Sequence, residues 1–521
     1  MKIIIAYKNY IYFSFLAIFS FLINFYIGNN GVFPVDTFIH YDNGYRILLG
    51  EHPVKDYWIV HGYIIDYIQA IFFKVFGNEW NSYLYHSSIL NTCITLFSYY
   101  IFRLLSLNVN ISLLLSILLS ISAYPVSGTP FLDLHSSYFS LFAIFFGIIS
   151  IKKDKPFFWF LSSFLLCLAF FSKQVPAGYT IVLTSLFILY LTIIENKAYI
   201  FVYFVSGALF FLILLLAFLI IKKISITDFI IQIFQFPLSI GSNRYENYSL
   251  GFKNLILDYK FIYIIFTIVI IFNVKEFLIN KKLNKNNLNI FLLFSIFVFT
   301  SIFHQIYTKN QTYIFFLIPI CSGIAILYNN LKSNNLRKNL NFFIIFLCIF
   351  TTLKYHERFN VKRKFHELQY TNLSKSLSLK KVDKKFNNLK WISPYYQNPE
   401  EEISYISNFL EILNGENEEV MVITQYNFFS SLTEKKLYSP SRTYDLISYP
   451  RKNSKYYNHY KNYLIKIFKK NEIKKVYIFE DYLNLDLNHL LYNYIKSECF
   501  NKKKLNKNLL LLEVKNCEVL N

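Results

Sequence analysis

One stretch of an otherwise greasy chain is dense in ionisable side chains. Asp36, Asp42, Asp56, His61 and Asp66 lie in PVDTFIHYDNGYRILLGEHPVKDYWIVHGYIIDY, between Pro34 and Tyr67. Further along stand Asp133 and His135, then Lys173 and Gln174, then Lys222, Lys223 and Arg244, and finally His304, Tyr307 and Lys309. A positioned carboxylate takes a proton from a reacting hydroxyl. Lysine and arginine bind phosphate oxygens. Carboxylates facing such cations beside apolar walls suit a reaction on a lipid phosphate. Each residue also has a plainer reading. Asp36 caps a helix after Pro34, Asp56 closes a turn, and His61 satisfies backbone groups. Asp133 and His135 cap a membrane span, and Lys173 snorkels from a span end. Lys222 and Lys223 meet head groups, and Asp42 is a solvated turn residue.

The elements that must position these residues are mostly apolar. Of 521 residues, 54% are hydrophobic, 20% aromatic and only 16% charged, against about 25% charged in soluble domains. That shortage marks a polytopic membrane protein. The formal charge of +21 therefore does not point to nucleic acid. Lys2 and Lys8 precede a first apolar run, Tyr10–Ile27, which ends in FYIGNNG without a small-residue cleavage site. It reads as an uncleaved first span with a cytoplasmic N-terminus. Ten further runs follow: Tyr83–Phe102, Leu107–Tyr124, Ser136–Ile151, Phe157–Phe171, Val175–Ile194, Tyr199–Ile221, Phe261–Val274, Leu288–Phe303, Tyr313–Tyr328 and Leu340–Leu353. Threading eleven spans puts the basic loops inside: Arg103, IKKDKP (Ile151–Pro156), ENK (Glu195–Lys197), Asn273–Asn287 and Asn329–Asn339. That agrees with the positive-inside rule. The loops rich in Asp, His and isolated Lys then face outward.

Within the first outer loop, GYIIDYIQAIFFKVFG (Gly62–Gly77) carries Ile65, Ile68 and Phe72 at helical spacing, interrupted by Asp66, Gln69 and Lys74. It reads as an interfacial helix. A twelfth span there would invert every later loop against the charge rule. After Leu353 the chain turns hydrophilic. VMVIT (Val420–Thr424), KVYIFE (Lys475–Glu480) and NLLLLEVK (Asn508–Lys515) read as strands, with helical patterns at Glu401–Leu413 and Tyr457–Phe468 between them. Together they make a small α/β domain on the outer side. Cys499 and Cys517 are able to pair if that domain is extracytoplasmic.

The stretch from Asp36 to Gly77 resembles the first outer loop of the C-type (GT-C) membrane glycosyltransferases. The cues are an acid just after span one, then LLGEHPVKDYW and HGYIIDYIQAIFFKVFG. It is most similar to the family-39-like branch of protein O-mannosyltransferases, aminoarabinose transferases and lipopolysaccharide-core sugar transferases. FFSKQVPAGY (Phe170–Tyr179) looks like that branch's Lys-bearing turn, and NQTYIFFLIPI (Asn310–Ile320) like its late aromatic-then-Pro span. The proline that usually opens the interfacial helix is absent here. The resemblance implies inverting transfer from a polyprenyl-phosphate sugar at the outer face of a bacterial inner membrane. Asp36 matches the catalytic acid and Asp133 a second acidic position, with Asp56 next in line as base. Lys173 is implied on the donor phosphate with Arg244 or Lys309, and Gln174, His61, Tyr57 and His304 among the substrate contacts. Asp133 orients the acceptor or, with His135, binds a divalent metal ion.

The expected architecture is thus an α-helical polytopic domain over 1–353 and an extracytoplasmic α/β domain over 354–521. The expected partners are a polyprenyl-phosphate sugar donor, a lipid, glycan or protein acceptor, and the membrane. Three rivals stand beside this reading: an oligosaccharide ligase or polymerase, a flippase for lipid-linked oligosaccharide, and a non-enzymatic scaffold. Transporters place ionisable groups at mid-membrane, whereas here the acids sit in loops. A scaffold needs no dense Asp/His loop.

Overall fold

Every one of the eleven apolar runs forms a helix in the computed structural model, which describes residues 2–246, 251–280, 285–308, 314–329, 335–444, 447–479, 489–515 and 517. Helical backbone satisfies its own N–H and C=O groups, so even runs rich in Phe, Ile and Tyr become helices where water is excluded. Among the described residues, seven helices are long and apolar enough to cross a membrane: Lys8–Gly28, Val109–Val126, Leu132–Lys153, Gln174–Ile194, Ala198–Ile221, Lys285–Tyr307 and Lys338–His366. Three more of the runs, at Phe157–Ser172, Lys260–Ile271 and Leu317–Asn329, are shorter apolar helices. Trp80–Leu104 is long enough at 25 residues but carries Asn81, Ser82, Ser87, Ser88, Asn91, Thr92 and Thr95. The expected count of eleven spans is therefore larger than the number that length and composition alone support. The molecule is an integral membrane protein by its apolar helices.

The chain divides into two compact units, and both are assembled from separated segments. The first comprises Met1–Gly28, Ser87–Leu216 and Asn247–Phe365. Its helices are joined by buried amides as well as by apolar packing. Asn24 Nδ2 donates to Ser87 Oγ at 2.9 Å and to Ser88 Oγ at 3.0 Å. Asn91 Nδ2 donates to the carbonyls of Ser20 and Ser120 at 2.8 and 3.1 Å, and its Oδ1 accepts from Tyr124 N. In a lipid environment such polar contacts specify which helix faces meet.

The second unit comprises Asn29–His86, Ala217–Glu246 and His366–Asn521. The composition changes after Leu353, yet the hydrophilic region does not stand alone, because the first outer loop is stitched into it. Gly31 N donates to Lys390 O and Val32 N to Ile392 O. Trp58 N donates to Pro440 O, and Arg442 N returns to Trp58 O. The first outer loop holds two helices where one was expected, Pro34–Leu48 and Ile64–Phe76. The second of these is the amphipathic helix expected from Ile65, Ile68 and Phe72.

The three strand readings coincide with strands of a four-stranded sheet. Numbering strands in chain order, β1 (Leu377–Ser378) and β2 (Lys390–Trp391) form a small antiparallel pair. β3 (Val420–Thr424), β4 (Lys475–Phe479), β5 (Phe500–Lys504) and β6 (Leu509–Val514) form a sheet in the order β3-β4-β6-β5. β3 runs parallel to β4 with Val420 opposite Lys475, and β4 and β5 each run antiparallel to β6. Met421, Ile423, Val476, Ile478, Leu510 and Leu512 share one buried face with Tyr460, Leu464, Ile467 and Phe468 of helix Tyr457–Lys470. On the other face, Phe409 of helix Pro399–Gly415 meets Tyr477 and Phe479. Buried on both faces, the strands read as continuous apolar runs. β5 (FNKKK) lacked that signature. It is an edge strand whose lysines are exposed, a composition that discourages edge-to-edge pairing. Cys499 and Cys517 are joined as a disulfide, with Cα atoms 5.5 Å apart.

Candidate functional site

In the first unit, three residues from three apolar segments meet in one ionic cluster. Leu132 opens helix Leu132–Lys153 after the extended Phe131, which places Asp133 in its first turn, where a carboxylate suits the positive end of the helix dipole. Lys173 is the extended residue between helices Phe157–Ser172 and Gln174–Ile194. Its backbone is held by Ala169 O and by Ser136 Oγ, which donates to Lys173 O at 3.1 Å. His304 lies near the end of helix Lys285–Thr308. The Lys173 ammonium donates to Asp133 Oδ2 at 2.6 Å, and His304 Nε2 lies 3.0 Å from Asp133 Oδ1. Asp133 and His304 are buried, while the Lys173 side chain keeps 18% exposure. A buried ion pair of this kind is costly to break, because the partner left behind is an uncompensated charge. Both Asp133 oxygens are engaged, so this carboxylate aims a cation and a histidine more readily than it takes a proton.

His135, two residues on, turns elsewhere. Its Nδ1 lies 2.5 Å from Tyr124 OH and 3.2 Å from Phe131 O. No group of three His, Cys, Asp or Glu side chains able to hold a metal ion occurs among the described residues. With the Asp133 oxygens on Lys173 and His304 and the His135 Nδ1 on Tyr124, this pair does not fit a divalent ion. No step below is routed through one.

The remaining candidates fall in the second unit or outside the described residues. Asp36 occupies the first turn of helix Pro34–Leu48 and is half-buried. Phe33 is the N-cap and Pro34 the first helical residue, a position for which its fixed φ is preorganised. Phe33 N donates to Thr37 Oγ1 at 3.0 Å. Asp56 closes a turn: its Oδ2 accepts from His52 N at 2.9 Å and its Oδ1 from Lys470 at 3.1 Å. Tyr57 is fully buried, with the Arg46 guanidinium 4.0 Å from its ring centre. That is a packing position rather than a substrate-facing one. His61 lies half-buried just before helix Ile64–Phe76, and Gln174 is the half-buried first residue of Gln174–Ile194. Arg244 is on helix Phe236–Glu246, but its side chain lies outside the described residues, as does Lys309 entirely.

Asp42 departs most from expectation. It is not a solvated turn residue but a buried member of helix Pro34–Leu48. Burial pushes its carboxyl up to about 6, with Arg46 opposing the rise and Glu51 adding to it. Around it lies a charged network that the sequence reading missed. Arg46 grips Glu51 through Nε and Nη2 at 3.0 and 3.3 Å. His40 Nδ1 lies 2.6 Å from Asp66 Oδ1, and Arg442 binds Asp66 Oδ2 and the carbonyl of Gly62. Burial lowers the His40 pKa despite Asp66, so a neutral His40 donates Nδ1–H to the carboxylate. The available signal was that three charged residues and a histidine stood in a helix too polar to be a span; the Asp66 partner Arg442 is 376 residues away.

No protein-family model matches the chain, and no curated protein matches it. Among solved structures, it is similar to the Archaeoglobus fulgidus oligosaccharyltransferase in complex with Zn and sulfate. That likeness has 10% sequence identity and a TM-score of 0.47, and it covers 96% of this chain and 73% of that one. A TM-score below one half does not establish a shared fold.

Proposed function

We propose that the protein is an integral membrane glycosyltransferase, which transfers a sugar from a polyprenyl-phosphate donor to a lipid, glycan or protein acceptor outside the cytoplasm. The observation that supports this most is the Asp133–Lys173–His304 cluster, built at the ends of apolar helices. A transporter would carry such a cluster near the middle of its spans. Assignment to the GT-C superfamily, and to its family-39-like branch, rests on the sequence resemblance. In that reading Asp36 removes the proton from the acceptor hydroxyl. The freed oxygen bonds to the anomeric carbon as the bond from that carbon to the phosphate oxygen breaks, with inversion. The leaving polyprenyl phosphate is a stable anion and needs charge stabilisation more than a proton. Lys173 supplies that charge, Asp133 aims it, and His304 adds a donor. Arg244 and Lys309 are assigned to the same phosphate, and Gln174 and His61 to the sugar and acceptor. The pairing of Cys499 with Cys517 supports an oxidising compartment.

Removing Lys173 is expected to weaken the donor more than the acceptor. Loss of one charge-assisted contact costs about 1.5–3 kcal/mol, which is a rise of about ten- to a hundredfold in donor KM. Because Lys173→Ala strands the Asp133 carboxylate, the double variant Lys173→Ala/Asp133→Asn separates donor binding from folding. Donor and acceptor KM values measured in detergent check this. An unchanged donor KM in both variants leaves the cluster structural.

A further inference from the structure

A separate cavity of about 310 Å³ opens within the second unit, between the segment around Gly50–Asp56, the start of helix Ile226–Ile230 and helix Tyr457–Lys470. Five lysines and three carboxylates line it: Lys55, Lys223, Lys436, Lys466 and Lys470, with Glu51, Asp56 and Asp228. Two of the carboxylates are already engaged, Glu51 by Arg46 and Asp56 by His52 N and Lys470, while Asp228 lies 3.0 Å from His459 Nε2 without a hydrogen bond between them. Lys55 donates to the carbonyl of Lys222 at 3.1 Å. Lys223, Lys436 and Lys466 have no carboxylate within ion-pair reach among the described residues. The cavity therefore holds unspent positive charge. Its wall also includes Tyr463, only 7% exposed.

We propose that the cavity binds the phosphomonoester of a sugar-sized ligand, with Lys223, Lys436 and Lys466 on the phosphate. A phosphate is favoured over a carboxylate because three lysines without a carboxylate partner line the cavity, and a phosphomonoester carries about −1.5 to −2 charges at pH 7 where a carboxylate carries one. The volume falls within the range of small-ligand pockets. This assignment does not depend on the transfer reaction proposed above.

Titration calorimetry on the full-length protein in detergent tests it, with glucose 1-phosphate, glucuronate and glucose as probes. Saturable, salt-sensitive binding of glucose 1-phosphate is expected, with glucuronate weaker and glucose silent. Lys436→Ala/Lys466→Ala should weaken it by about tenfold or more at an unchanged thermal midpoint. Nanodiscs containing phosphatidic acid distinguish the source of the phosphate. Competition with glucose 1-phosphate assigns the site to a lipid head group, and its absence to a soluble phosphosugar. No saturable binding at millimolar concentration, a preference for glucuronate, or binding unchanged in the double variant overturns the proposal.

Discussion

Burial makes Asp42 a pH-sensitive residue. Its folded-state pKa of about 6 lies above the ordinary 3.8, so folding favours the protonated acid. Its contribution to stability is fully present below pH 3.8 and is lost as pH rises through 6. At pH 7.5 the ionised carboxylate therefore works against the fold. Asp42→Asn, which keeps the shape without the charge, is expected to raise stability there by up to about 3 kcal/mol. At pH 4 the gain should vanish. Thermal midpoints of both proteins across pH 4 to 8 check this, and a gain independent of pH would assign the effect to packing instead. At this scale the sequence revealed which residue types were unusual but not what they touch. Asp133, Lys173 and His304 were each visible as polar residues at the ends of apolar runs. Their meeting was not, because it depends on how three helices pack. Asp42 was misjudged because its burial comes from chain that lies hundreds of residues away, such as Ser430.

Among the elements, apolar length was a strong signal and so was the continuous Val/Ile/Leu run. Every apolar run became a helix, and VMVIT became β3 without a shift in boundary. β5 was hidden because an exposed edge strand carries lysines where a buried strand carries apolar residues. Helix contacts were equally hidden, although one rests on a single glycine. A Cβ at Gly207 of helix Ala198–Ile221 would lie 2.2 Å from Phe160 O and 2.3 Å from Ser163 Oγ. The two backbones approach too closely for any side chain, as small residues permit between membrane helices. Gly207→Ala is expected to destabilise by about 1–3 kcal/mol through overpacking. Gly178→Ala, which would meet only Phe170 at 3.8 Å, is the control and should be neutral or mildly stabilising. Thermal unfolding in detergent reads the difference, and equal effects at the two sites would deny the close approach.

The molecule as a whole departs from the expected division at Leu353. Segments 29–86 and 217–246 fold with the hydrophilic C-terminal region, and no local pattern announces such interleaving, because backbone pairings such as Trp58 with Pro440 and Arg442 are set by tertiary fold. The membrane character was legible from composition, while the number of spans was not: polar glue in Trp80–Leu104 lowers the hydropathy on which a count depends. The proposed function is most directly tested by the reaction itself. Sugar transfer from a polyprenyl-phosphate donor should be measured for the wild-type protein and for Asp36→Asn, at matched levels of folded protein. Transfer by the wild type is expected, with a loss of about 10²–10⁴-fold in Asp36→Asn, the usual cost of removing a general base, and little change in thermal midpoint. Near-normal turnover by Asp36→Asn, or no transfer by the wild type from any such donor, would contradict the proposed function.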